Sequence, residues 1–223
     1  MSNIVWSYSS LKTFEQCPKK YYHLRILKDV KDETSEAIIY GQEVHKAAEE
    51  YIKNGKPIPK KFEFLKDICD AFNIIDGEKH CELRLGVKRT PNGYEPCGFF
   101  DKDVWWRGVG DLIIIQDNMA FSIDYKTSKN AKYADLKQLD ILAAALFVHF
   151  PQLERIKSGL VFVVSGEFVY KEHTADLRDS YFATFDDSLD RLAGAQESGV
   201  WNANSGPLCR FCPVTSCEHN RRR

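Results

Sequence analysis

The stretch Ser122-Ile-Asp-Tyr-Lys-Thr-Ser-Lys129 sets a carboxylate, Asp124, and an amine, Lys126, inside an apolar run. Residues two apart on an extended strand project to one side, so Asp124 and Lys126 share one face while Ile123 and Tyr125 share the other. One face is polar and the other belongs to a core. Upstream, Gly110 to Ile115 and Ala120 to Lys126 are apolar runs joined by Gln116-Asp117-Asn118, a hairpin pattern. Counting back from Asn118 to Asp111 gives seven residues and forward to Asp124 gives six, so the two aspartates face each other to within one residue of register. Two adjacent carboxylates repel unless a proton or a cation lies between them. A divalent ion with oxygen ligands and open water positions, such as Mg²⁺, answers that repulsion. Lys126 beside it would orient or deprotonate an attacking water, or stabilise a pentavalent phosphate, which is the chemistry of phosphodiester hydrolysis. Taken alone, Asp-x-Lys on a strand is also what a surface ion pair looks like.

Several elements must position these groups. Ser7, Ser9 or Ser10 can cap a first helix whose stripe is Leu11, Phe14, Cys17, Tyr21, Leu24 and Leu27, with Pro18 marking a kink or break. A second helix is predicted from about Glu36 to Lys53, burying Ile38, Val44, Ala48, Tyr51 and Ile52 and ending at Asn54-Gly55. A third is predicted near Phe62 to Ile74. Glu82 to Val87 alternates as a strand, followed by the hairpin above. A helix from about Tyr133 to Phe150, strands at Leu160 to Ser165 and Phe168 to His173, and a helix from Asp186 to Ser198 complete the order. Helices, a meander, a helix, strands and a helix make a mixed α/β fold around a central sheet.

Composition bounds the rest. A chain of 223 residues can bury one substantial core with a small appendage, and 43% hydrophobic with 28% charged residues is ordinary for a globular protein. No run approaches the roughly 18 apolar residues that span a bilayer. The N-terminus lacks a signal-peptide pattern, so a cytoplasmic location is expected, bacterial or in a phage-infected host. A net charge of -1 excludes a wholly basic surface but permits one basic face. Lys12, Lys19, Lys20, Arg25 and Lys28 form one basic concentration, and Lys126, Lys129, Lys132 and Lys137 a second. Both also read as ordinary solvated faces.

Five segments in order carry a resemblance: Ser7-Tyr-Ser-Ser-Leu11 through Cys17-Pro18, Gly41-Gln-Glu-Val-His45, Gly108-Val-Gly-Asp111, Asp124-Tyr-Lys-Thr127, and Gln138. Together they resemble the PD-(D/E)XK nuclease superfamily, in its RecB-type exonuclease branch, which also contains the nucleases of CRISPR adaptation. The resemblance implies a restriction-endonuclease-like mixed sheet flanked by helices. It makes His45, Asp111, Asp124 and the Tyr125 backbone carbonyl metal ligands, and places Asp111, Asp124, Lys126 and Gln138 in the catalytic set. Asp124 stands where the family often has glutamate, and Leu142 stands where a tyrosine follows the glutamine. Glu82 on the preceding strand is an acidic neighbour. His45 is also the kind of residue that lies hydrogen-bonded at a core edge. As a ligand it would shift preference from Mg²⁺ toward Mn²⁺, which accepts nitrogen more readily.

Seven cysteines in a cytosolic chain are not expected to form disulfides. Cys209-x-x-Cys212 with Cys217 supplies three ligands, one short of a closed site, and His219 is available to zinc. The same resemblance supplies Cys17 as the fourth thiolate of an iron-sulfur cluster held by both ends of the chain. Four thiolates suit [4Fe-4S] or Zn²⁺ equally by count. Such a site would close the loop from Cys17 to Cys209, a constraint on the order of a few kcal/mol by analogy with disulfides. Its role is expected to be structural. Cys69, Cys81 and Cys97 read as small core residues.

These readings make residues 1–223 a single nuclease domain, with a core at 36–198 and a cysteine appendage from 1–30 and 200–223. The expected function is a metal-dependent DNA exonuclease in phage or bacterial recombination, repair or DNA degradation. A CRISPR-adaptation trimming nuclease or a non-catalytic DNA-binding subunit of the same fold are the alternatives, with recombination or adaptation proteins as partners. DNA with free ends or single strands is the expected ligand. Lys19, Lys20, Lys129, Lys132 and Arg221-Arg222-Arg223 would contact phosphates. Trp6, Tyr8, Tyr21 and Tyr22 either stack on bases or pack inside. No G-x-x-x-x-G-K-[ST] motor motif is present.

Overall fold

The structure, a computed structural model, describes residues 4–32, 35–132 and 134–221. Tyr133, Arg222 and Arg223 therefore lie outside the described residues. Helices α1 (Tyr8–Gln16), α2 (Pro18–Tyr21), α3 (Glu36–Asn54) and α4 (Lys66–Asn73) come first. Strands β1 (Glu78–Thr90), β2 (Gly93–Cys97), β3 (Trp106–Gln116) and β4 (Met119–Lys126) follow. Then come α5 (Lys137–His149), β5 (Arg155–Phe162), β6 (Glu167–Thr174), α6 (Arg178–Ala183) and α7 (Asp186–Ser198). The chain packs as two compact units, Met1–Thr34 with Thr184–Arg223, and Ser35–Ala183.

In the unit built from the chain ends, Ser7 caps α1. Its hydroxyl accepts the Ser10 N–H at 3.3 Å while the Ser10 hydroxyl accepts the Ser7 N–H at 2.9 Å. Pro18 ends the helix: Cys17 is extended at φ -162 and ψ 107, as the residue before proline prefers, and α2 restarts with proline in its first turn. Past Tyr21 the chain winds as a π-helix over Tyr22–Leu27. That wider pitch shifts the 3.6-residue stripe, so Leu24 is only half-buried and Leu27 is exposed, contrary to expectation. Trp6 and Tyr21 are buried, Tyr22 stacks on Trp201 at 5.1 Å, and Trp6 packs on Phe185 at 5.2 Å. Packing has claimed these rings. The Ser188 hydroxyl donates to Glu15 at 2.6 Å and ties α7 to α1.

The Ser35–Ala183 unit is a six-stranded sheet in the order β2-β1-β3-β4-β5-β6. All neighbours are antiparallel except β4 and β5, which run parallel and need the α5 crossover. Val161 of β5 and Val163 just past it join a core with Val44, Ala48 and Cys69 of α3 and α4, while Leu160 and Phe162 of β5 pack on Leu139 of α5. Alternation thus puts α3 and α4 on one face and α5 on the other. This is a mixed α/β fold with a central sheet flanked by helices. Leu139 to Val148 are all buried, the mark of a helix enclosed on every side. The strand β2 was not anticipated: it carries Pro96 and pairs only with β1, as an edge strand permits. Ile38, expected inside, is 47% exposed because α3 meets the core only from Val44 onward. Cys69 is fully buried, and burial pushes its thiol up to about 12.

Candidate active site

The hairpin register is the one counted from the sequence. The last rung between β3 and β4 pairs Leu112 with Ile123, so one step further Asp111 and Asp124 stand opposite each other where the ladder ends. In place of a rung, Asp111 Oδ2 accepts the Tyr125 N–H at 2.8 Å.

A second break lies on the other side of Asp111. Between β1 and β3 the ladder runs from Glu78 to Cys81 and resumes at Leu83, leaving Glu82 and Asp111 unpaired. Glu82 has φ 52, in the left-handed region that a non-glycine residue enters at a cost on the order of 1 kcal/mol or more. Strict alternation would point Asp111 and Leu112 to opposite faces. Leu112 packs with α3 and α4, yet Asp111 also approaches α3, where its Oδ2 lies 3.4 Å from His45 Nδ1. Alternation has slipped by one at this rung. Among the described residues, one ligand atom each from His45, Glu82 and Asp111 lie within 4.8 Å of one another.

Asp124 keeps the regular phase and faces α5. Its Oδ2 lies 2.5 Å from Lys126 Nζ, and Lys126 donates to Gln138 Oε1 at 2.9 Å. Gln138 is in the first turn of α5. The sequence-derived site residues therefore gather as two clusters, one of His45, Glu82 and Asp111 and one of Asp124, Lys126 and Gln138. Tyr125 joins them: the chain sets it between Asp124 and Lys126, while its N–H is held by Asp111 and its carbonyl accepts from His45 Nε2 at 2.9 Å. Leu142 is 8% exposed and offers no surface for a ligand, so nothing at that position replaces the tyrosine.

Electrostatics mark the fork as short of positive charge. Burial and then the Asp111 charge raise the Asp124 carboxyl, only partly offset by Lys126. Partial desolvation and Asp111 raise Glu82 in the same way. Burial alone would lower the His45 imidazole, but hydrogen bonding and charge from Asp111, with Asp124 behind, carry it above its ordinary value. An imidazole nitrogen, carboxylates and a backbone carbonyl converging in a field that penalises negative charge form a donor set that fits a divalent cation.

The proposed nucleic-acid lysines are distributed differently. Lys19 pairs with Glu218 at 2.5 Å and Lys20 with Asp32 at 3.4 Å. Lys129 and Lys132 are exposed. In the chain-end unit, Cys17, Cys209, Cys212 and Cys217 line one cavity of about 280 Å³ and are free, half-buried thiols. Cys17 Sγ accepts the Lys20 and Asn204 N–H groups at 3.5 and 3.4 Å, and Cys209 Sγ accepts the Gly206 N–H at 3.3 Å.

A mixed sheet flanked by helices, with acidic and basic groups gathered where central strands part, defines a class, the restriction-endonuclease-like nucleases. The sequence profile of the PD-(D/E)XK nuclease superfamily matches residues 5–217, and the chain belongs to that superfamily. Members use divalent metals, and DNA is the substrate class this membership implies. Among solved structures, SSO0001 aligns with a TM-score of 0.50 at 14% identity, over 99% of this chain and 88% of that one. A Eubacterium rectale protein with a provisional exonuclease name aligns with a TM-score of 0.52 at 14% identity, over 98% and 89%. At such identity the likeness speaks to fold alone. No curated protein matches the chain. No helix among the described residues is long and apolar enough to cross a membrane.

Proposed function

We propose that this chain is a divalent-metal-dependent deoxyribonuclease that hydrolyses phosphodiester bonds from DNA ends, of the RecB-type branch, serving phage or bacterial recombination, repair or DNA degradation. The observation that supports this most is the joining of the two clusters through the Tyr125 peptide. His45, Glu82, Asp111 and the Tyr125 carbonyl, with Asp124 adjacent, would hold the cation, and the imidazole favours Mn²⁺ over Mg²⁺. When bound, it supplies charge neutralisation for a phosphate and a more acidic water. The protein's own groups do the remainder. Lys126 stabilises negative charge as it develops on the phosphate. Asp124 holds the amine at 2.5 Å, and Gln138 fixes one rotamer of a side chain that otherwise carries about 2 kcal/mol of rotamer entropy.

End-labelled single- and double-stranded DNA incubated with Mn²⁺, Mg²⁺ or chelator tests the reading. Shortening from an end that requires the metal and vanishes in Lys126→Ala is the expected result. Normal cutting by Lys126→Ala would remove the catalytic assignment, and equal or better turnover in Mg²⁺ would count against His45 as a ligand.

Cys17, Cys209, Cys212 and Cys217 are read as ligands of a structural [4Fe-4S] cluster. Their common cavity and the N–H groups aimed at two of the sulfurs support it, since such bonds tune cluster thiolates. Among the described residues no three of these sulfurs lie within 4.8 Å of one another. Thiolates about 2.3 Å from a single tetrahedral zinc would stand about 3.8 Å apart. Iron and zinc content of the purified protein decides between them, and zinc alone would overturn the cluster.

A further inference from the structure

Next to the acidic fork, β1 and β3 carry a second set of groups. Arg84 stands two residues from Glu82, and Val109 and Arg107 stand two and four residues from Asp111. Arg84 and Val109 line the same groove of about 920 Å³ as His45, Lys46 and Glu82, so these positions share the face of the fork. The loop after β2 brings two adjacent rings to the arginines. The Arg107 guanidinium carbon lies 5.5 Å from the centre of Phe99, and that of Arg84 lies 5.9 Å from Phe99 and 6.0 Å from Phe100. The rings meet edge to face at 5.0 Å.

Two features set this cluster apart from ordinary packing. Phe100 is 74% exposed, so its ring is not spent on a core. Among the described residues, neither Arg84 nor Arg107 forms an ion pair. Asp101 turns its carboxylate onto the Gly98 N–H at 2.7 Å. Free guanidinium groups suit phosphates, and an exposed aromatic face suits a base. A base inside a duplex already has neighbours on both faces and a duplex end exposes only its terminal pair, so an unpaired strand is what offers successive bases to Phe100. Strand residues advance about 3.3 Å each, which puts Arg84 roughly 7 Å and Arg107 roughly 13 Å along the sheet from the fork. That track suits nucleotides adjoining the scissile phosphate.

We propose that Arg84, Phe99, Phe100 and Arg107 form a platform that holds single-stranded DNA beside the cleavage site, Phe100 stacking on a base and the two arginines taking successive phosphates. This rests on the nuclease reading for its location but makes a separate claim about binding. The test uses full-length protein carrying Lys126→Ala, so that DNA stays intact, with a short fluorescent oligothymidylate and a blunt duplex as probes in anisotropy titrations. Phe100→Ala weakens binding of the oligothymidylate about 5-fold or more and of the duplex less than about 2-fold. Phe100→Trp restores it. Combined Arg84→Gln and Arg107→Gln weaken binding and flatten the dependence of log affinity on log salt by about 1.4. Unchanged oligothymidylate binding by Phe100→Ala, or equal losses for both probes, overturns the platform. Cleavage by protein with Lys126 intact is scored separately. Cleavage together with unaltered Phe100→Ala binding rejects the platform alone. Absent cleavage together with weakened binding rejects the nuclease reading and leaves the platform standing.

Discussion

At the scale of single residues, the site depends on how Lys126 and Glu82 are held. Lys126 is gripped from both sides, so its loss removes a charge from the reacting phosphate and frees Gln138 and Asp124 at once. Lys126→Ala is expected to lower kcat at least about 100-fold, the size of effect seen when one transition-state donor is removed. DNA binding, read by anisotropy, should stay near the parent's. Gln138→Leu keeps the amine and loses its tether; kcat should fall about 10-fold with little change in KM. Glu82 differs in kind, since its left-handed backbone holds a carboxylate beside His45 and Asp111. Glu82→Gln should raise the Mn²⁺ dissociation constant on the order of 10-fold, measured by calorimetric titration. An unaltered constant would place Glu82 outside the ligand set. Asp111, Asp124 and Lys126 were legible because strand spacing is written in the chain, whereas His45 and Gln138 were singled out only by the resemblance to the nuclease superfamily. The part Glu82 plays was not legible, because a one-residue slip in alternation leaves no trace in a period-two pattern.

At the scale of elements, α5 sets where Gln138 sits, and a buried polar network anchors that helix to the far sheet edge. Asp140, two residues past Gln138, accepts from His173 Nε2 at 2.8 Å and pairs with Lys171 at 2.6 Å, and His173 Nδ1 lies 3.2 Å from Ser158 Oγ. Burial would raise the Asp140 carboxyl, but the bonds from His173 and Lys171 outweigh it and hold the group below its ordinary value. A carboxyl depressed by folding contributes stability that is complete above the unfolded value of about 3.9 and is lost as pH falls through the lower folded value. Asp140→Asn should flatten the acid limb of a urea-midpoint against pH curve and cost about 1–3 kcal/mol near neutrality. An unchanged acid limb would assign acid sensitivity to other carboxylates. The start of α1 was legible to within Ser7, Ser9 or Ser10, of which Ser7 is the cap, whereas the π-helical turn at Tyr22–Leu27 was hidden by a sequence that keeps an ordinary helical stripe.

For the molecule as a whole, two compact units come from one chain, one of them assembled from both termini. Its aromatic core and four cysteines draw on residues nearly the whole chain apart, so a cross-link there would remove on the order of a few kcal/mol of the unfolded chain's conformational freedom. If the thiols hold a cluster, Cys212→Ser protein should purify with well under the parent's iron content and unfold at lower denaturant. Parent-like iron and unfolding would exclude Cys212 as a ligand.

The sequence by itself determined the hairpin, the register that brings Asp111 and Asp124 level, the polar and apolar faces of β4, and the cysteine spacing. Each follows from local geometry with a fixed period of two or 3.6 residues, which a linear string carries intact. Only the tertiary structure decided that the ladders fail at Glu82 and Asp111, that Asp111 holds the Tyr125 N–H, and that Phe99 and Phe100 lie beside Arg84 and Arg107. Those outcomes depend on which distant segments compete for the same space, and no local pattern encodes that competition.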